Sequence, residues 1–182
     1  YKHFVIHFFC LTVAVVAVGF SWYNVLTLKN GFEHINVFKQ SYSNVCMRQK
    51  LYDVLRSKPL TVGQAMDIAD VILTQDKVPP AIALAMIHIE SEFKPSAVSK
   101  AGAMGLTQVM PIIRKIYEKH PEFGPEIAQV YNVPVNVKLG LWFLGDLYVK
   151  YGDWKIALSA YNAGPENARN KKYLTYANAI LK

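Results

Sequence analysis

Between Lys2 and Lys29 the chain carries no Asp, Glu, Lys or Arg. A run this long without charge has two homes, a protein core or a bilayer. Its centre, from Phe4 to Phe20, is almost wholly apolar. As a helix rising about 1.5 Å per residue it covers roughly 25 Å. Ser21 to Leu26 extends it to the ~30 Å of a hydrocarbon layer. Trp22 and Tyr23 follow where an interfacial belt would hold them. Residues 4–28 are therefore expected to form a single transmembrane helix, within an anchor covering residues 1–28. A cleaved signal peptide is the competing reading, with Ala17-Val18-Gly19 as its small-residue site. The length of the run and the aromatics directly after it favour the uncleaved anchor.

The remainder has room for one globular domain, since the whole chain is 182 residues. Hydrophobic residues at 52% and charged residues at 18% exclude a disordered chain. Two Cys are too few for a disulfide scaffold or a four-Cys zinc site. No metal or other cofactor is expected, because His88 and His120 stand isolated. The net charge of +7 is unevenly spread. Residues 1–58 hold seven Lys/Arg against two acids, and residues 59–182 hold thirteen against eleven. A nucleic-acid enzyme would concentrate its basic excess on the folded domain, so no nucleic-acid partner is expected. Residues 29–58 read as a linker or stalk, with a possible helix from Gln40 to Arg56.

From Pro59 the pattern is all-α. Thr61 and Gln64 have the spacing of a capping box. Ala65, Ile68, Ala69, Ile72 and Leu73 then mark one apolar face. Pro79-Pro80 separates this unit from a short apolar helix over 81–91. A glycine-rich loop over 99–105 leads to helices over 110–118 and 135–151. Asp153 caps a further helix ending at Gly164, and the last helix covers 172–181. No stretch alternates apolar and polar residues as a strand would.

Three places hold residues suited to chemistry. Glu90 closes an apolar helix and shares a face with Ala83, Met86 and Ile87. A carboxyl there is desolvated, its pKa rises, and it stays protonated as a general acid requires. The bland alternative is a helix-terminal acid reaching water. Glu92 points elsewhere and reads as an ordinary surface acid. The loop Gly102–Pro111 offers Gln108 to an acetamido group and Met110 to a sugar face, or is merely a connecting turn with Met110 in the core. Ala160-Tyr161-Asn162-Ala163-Gly164-Pro165 places a phenol at a helix end, where it is able to donate to a carboxyl or to substrate, or simply caps the helix.

In combination these motifs are more specific. Glu90-Ser91, Phe93, Pro95, Ala97 and Ser99, then Gly102-Ala103, Gly105-Leu106, Gln108 and Met110-Pro111, then Asn136 and Gly140, then Ala160 to Gly164 resemble the soluble lytic transglycosylase domain. That family belongs to the lysozyme superfamily, with a goose-type-lysozyme-like core. The resemblance covers roughly residues 65–182 and implies a lysozyme-like helical catalytic domain over 59–182. It implies Glu90 as the single catalytic acid and base, with Tyr161 beside it. It implies Ser99, Gln108, Met110, Asn136 and Asn162 as residues lining or shaping a sugar groove. The implied reaction is cleavage of the β-1,4 bond from N-acetylmuramic acid to N-acetylglucosamine in peptidoglycan, leaving a 1,6-anhydro end. Glycan strands are then the partner, and an inner-membrane, single-pass protein with its catalytic domain in the periplasm is the expected setting. An envelope or secretion machinery is the further partner class.

Three positions depart from the family pattern. Thr107 stands where Met is usual, Phe143 replaces a Tyr, and Lys172-Tyr173 occupy the place of a Glu-Thr pair. Those at Phe143 and Lys172, with the basic segment 30–58, motivate a second reading, a membrane-anchored glycan-binding subunit of an envelope-spanning assembly with little turnover. A true hydrolase is the third.

Overall fold

Thr61 and Gln64 form the capping box that their spacing predicts. The Thr61 hydroxyl accepts from the Gln64 N–H at 3.2 Å, and the Gln64 side chain accepts from the Thr61 N–H at 2.9 Å. The helix they start is one element of a computed structural model that describes residue 29, residue 33, residue 36, residues 39–41 and residues 43–182. The expected span over 4–28 lies outside these. Among the described residues, no helix is long and apolar enough to cross a membrane.

The chain divides into two units, Tyr1–Met47 and Arg48–Lys182. In the first, the described residues are helical and, apart from half-buried Cys46, exposed. The second is built from helices: α1 (48–55), α2 (Val62–Thr74), α3 (Pro80–Ser91), α4 (Pro111–Tyr117), α5 (Val133–Tyr151), α6 (Trp154–Ala163) and α7 (Leu174–Ile180). Short 3₁₀ turns lie at Gly124–Ala128, Pro165–Asn167 and Lys171–Tyr173. The expected last helix thus starts two residues late, because Asn170 caps a 3₁₀ turn through the Lys172 N–H before α7 begins. Two isolated bridges, Val98 with Met104 and Met104 with Val109, are the β-pairing among the described residues.

Sequence signals account for the helix ends. Pro80 opens α3 at a position where its missing N–H costs no hydrogen bond. Asn132 caps α5 and Asp153 caps α6, each through a side-chain oxygen accepting a backbone N–H. Gly152 ends α5 in the left-handed conformation, φ 67°. The 19-residue α5 is the spine, packing against α2 and α6, while α7 lies on α6 and α3.

The main core joins Ile68 and Ile72 of α2, Met86 and Ile87 of α3, Leu141 and Leu144 of α5, and Leu158 of α6. Leu51 and Leu55 of α1 belong to the same core, with Leu55 fully buried. Residues 48–58, read from sequence as part of a linker, therefore lie inside the compact unit. A smaller core of Val109, Tyr117, Phe123, Ile127, Val130 and Leu139 supports α4. Leu55→Ala is expected to lower stability by about 2–5 kcal/mol, as buried Leu truncations do. Urea unfolding of the Arg48–Lys182 unit measures it, and an unchanged midpoint would show that α1 is not part of the core.

Candidate active site

Glu90 lies one residue before the end of α3, half-buried, behind the fully buried Ala83, Met86 and Ile87. Burial raises its carboxyl pKa above the ordinary value of 4.5. Tyr176 works against that rise, since its hydroxyl donates to Glu90 Oε1 at 2.5 Å and favours the charged form. Burial is the larger effect. The chain then turns sharply through Glu92 and Phe93, both left-handed at φ 52° and 61°. Phe93 is buried, while Glu92 is exposed and pairs with Lys94 at 2.9 Å, which lowers its pKa. Two acids two residues apart thus sit in opposite electrostatic settings.

The loop after this turn is fastened from below. Ser91 Oγ donates to the Leu106 carbonyl at 2.8 Å. Asn136 of α5 is 1% exposed and fully engaged. Its amide donates to the carbonyls of Met104 and Val130, both at 3.0 Å, and its oxygen accepts from the N–H and the hydroxyl of Thr107, both at 2.9 Å. Gly105 and Gly140 permit this approach. A Cβ on Gly105 would lie 2.2 Å from Asn136 Nδ2, and one on Gly140 would lie 2.4 Å from Thr107 Cβ. Thr107 is fully buried, so the Met usual at that position is replaced by a side chain that hydrogen-bonds inside the loop anchor.

Beside the loop lies a pocket of about 310 Å³. Of the residues expected at the site, Gln108, Met110, Tyr161 and Asn162 line it. Gln108 is held at φ 48°, and its amide nitrogen donates to the carbonyls of Gly105 at 2.9 Å and Ala97 at 3.2 Å. Met110 caps α4 and is exposed rather than in the core. Ser99 faces its own loop, accepting from the Ala103 N–H at 3.0 Å. Asn136 does not line the pocket; its side-chain groups are spent on the loop and on the Val130 carbonyl.

Tyr161 also differs from expectation. Its hydroxyl donates to the Thr107 carbonyl at 2.7 Å, not to a carboxyl. Burial, followed by the nearby Glu90 charge, pushes its pKa up. Its ring lies 5.2 Å from that of Phe143, centre to centre. The phenol that touches Glu90 is Tyr176 of α7, which sequence reasoning missed. A signal was present: Tyr176 adjoins buried Ala177, and an inward Tyr hydroxyl needs a partner. Burial, again the larger cause, and the Glu90 charge raise its pKa well above the ordinary value. Glu166, also unforeseen, lies on the pocket wall.

Removing the Tyr176 hydroxyl takes away a donor that favours ionised Glu90. Tyr176→Phe should therefore move the basic limb of any Glu90-dependent pH–rate profile to higher pH. A limb that stays in place or moves down would separate Tyr176 from the titration of Glu90.

The transglycosylase SLT domain family profile matches residues 68–182. The soluble lytic murein transglycosylase of Escherichia coli (strain K12) is 26% identical over 162 residues, 81% of this chain and 24% of that protein. The membrane-bound lytic murein transglycosylase C of Actinobacillus pleuropneumoniae (serotype 5b) is 34% identical over 96 residues, covering 47% of this chain and 26% of the relative. The crystal structure of the 70 kDa soluble lytic transglycosylase SLT70 from Escherichia coli superposes with a TM-score of 0.56 at 19% identity, over 76% of this chain and 29% of that one. The last likeness is one of fold. The chain spans about a quarter of the length of these relatives.

Proposed function

The chain belongs to the transglycosylase SLT domain family, and on that premise we propose that it is a peptidoglycan lytic transglycosylase with Glu90 as its single acid and base. The observation that carries the proposal is the setting of Glu90, a carboxyl desolvated on an apolar helix face and held by Tyr176. A raised pKa favours the protonated form that a general acid needs. Its proton goes to the leaving glycosidic oxygen as the bond to C1 of N-acetylmuramic acid breaks. The C6 hydroxyl of the same sugar then bonds to C1, and Glu90, now a carboxylate, takes that hydroxyl proton. The products are a strand with a free 4-hydroxyl and a strand ending in 1,6-anhydro-N-acetylmuramic acid. Water takes no part, unlike the two-carboxylate scheme of most glycosidases.

The other residues bind and orient. Among the described residues no donor reaches Gln108 Oε1, which leaves it for the N–H of an acetamido group. Met110 and Phe143 offer apolar surface to a sugar face, and Asn162 a polar edge. Asn136 and Thr107 act as positioning residues by holding the loop, and Tyr161 ties α6 to it. The substrate sets the domain in the periplasm, and the uncharged run over residues 4–28 supports an inner-membrane anchor.

Release of soluble fragments from purified sacculi tests the lytic reading. Turnover that depends on Glu90 supports it. Binding of sacculi without release would favour the glycan-binding subunit instead.

A further inference from the structure

Glu166 is exposed on the wall of the pocket, on a turn whose backbone is tied by two side-chain hydrogen bonds. Asn167 Nδ2 donates to the Ala163 carbonyl at 2.9 Å, closing the end of α6 over the turn that carries Glu166. Tyr151 Oη donates to the Pro165 carbonyl at 3.3 Å. A Cβ on Gly164 would sit 2.5 Å from Glu166 Oε1, so the carboxylate lies directly against the backbone. Among the described residues no Lys, Arg or His lines the pocket, and Glu166 is the one carboxylate that does. Five other acids of the unit, Asp53, Asp70, Glu92, Asp146 and Glu122, pair with Lys or Arg at 2.6–3.8 Å. Among the described residues Glu166, like Asp67, Asp76, Glu118 and Asp153, has no such pair, and what sets it apart is its place on the pocket wall; its polar contact is Asn167 Nδ2 at 3.3 Å.

An exposed carboxylate on the wall of a binding pocket, without a cation among the described residues, favours ligands that bring the cation. We propose that Glu166 forms a subsite for a primary ammonium group carried by the glycan, so that amine-bearing strands bind in preference to strands without one. This rests on the lytic reading of the pocket and names a feature of its substrate. N-acetylated sugars carry no cation. The ammonium therefore comes from a stem-peptide amine or from a de-N-acetylated glucosamine. The same carboxylate disfavours a bare lactyl or peptide carboxylate at that point.

The test measures binding of soluble glycan strands to the full chain carrying Glu90→Gln, so that strands are not consumed. One arm compares strands whose stem-peptide amines are free or chemically acetylated. The other compares peptide-free strands with and without partial de-N-acetylation. The amine should lower Kd by about 1.5- to 5-fold in one arm, the range of exposed ion pairs, and the arm identifies its source. The preference should vanish near 1 M salt, where the Debye length is about 3 Å. Adding Glu166→Gln should abolish it, whereas adding Glu92→Gln should preserve it. Equal affinities in both arms, or a preference that survives Glu166→Gln, would overturn the subsite whether or not strands are cleaved. A preference lost with Glu166, in a chain whose unsubstituted form cleaves no strand, would uphold the subsite and overturn the lytic reading alone.

Discussion

Glu90→Gln is expected to lower glycan cleavage by about 10²- to 10⁴-fold, the usual worth of general acid–base catalysis. The substitution keeps the shape of the side chain and removes its titratable proton, so strand binding should persist. Glu92→Gln is the control, since that carboxylate is exposed and paired with Lys94, and it should leave turnover unchanged. Stability should respond in the opposite sense to activity. The folded pKa of Glu90 is raised above 4.5 by burial. The group therefore contributes stability that is fully present below the unfolded value and lost as pH rises through the folded one. Glu90→Gln escapes that loss. The variant should gain stability relative to the parent between acidic and neutral pH, with the difference shrinking below pH 4.5. Comparable turnover by variant and parent would remove Glu90 from the mechanism.

Asn136→Ala is expected to lower stability by about 3 kcal/mol or more. The buried carbonyl of Val130 and the buried N–H of Thr107 would lose their partner together, while the Met104 carbonyl keeps the Val109 N–H. Each buried polar group left unpaired costs roughly 1–3 kcal/mol. For a chain of this size that corresponds to a fall in Tm of about 6–12 °C. Turnover should fall as well, because Gln108 and the carbonyl that Tyr161 engages ride on the same loop. Asn162→Ala, at an exposed pocket position, should leave Tm close to the parent. A parental Tm for Asn136→Ala would show that Asn136 does not hold the loop.

Much of the fold was legible because local signals and tertiary packing agree. The capping box at Thr61, the Pro79-Pro80 break and Gly152 fixed helix ends that the structure reproduces. The apolar face around Glu90 left two readings open, a desolvated carboxyl and a helix-terminal acid reaching water, and the half-buried carboxyl with its raised pKa favours the first. What spacing did not carry was contact between distant segments. Tyr176 meets Glu90 across 86 positions of sequence, and Tyr161 meets Thr107 across 54. A Tyr at a helix end offers its hydroxyl to any acceptor, and only the packing of α7 on α3 decides which phenol reaches the carboxyl. The family resemblance places Asn136 at the groove and carries nothing of its burial, which follows from Gly105 and Gly140 letting the loop close over α5. Leu51 and Leu55 stand in sequence as apolar positions of a helix over 40–56, but their packing into the main core is a contact with distant segments that spacing does not carry.

The central claim is intramolecular attack by a sugar hydroxyl under one carboxyl group. The most direct measurement is mass analysis of strand ends after digestion of sacculi in heavy-oxygen water. The account predicts 1,6-anhydro-N-acetylmuramic acid ends that carry no solvent oxygen. Reducing ends that carry one solvent oxygen each would contradict it and mark the protein as a hydrolase.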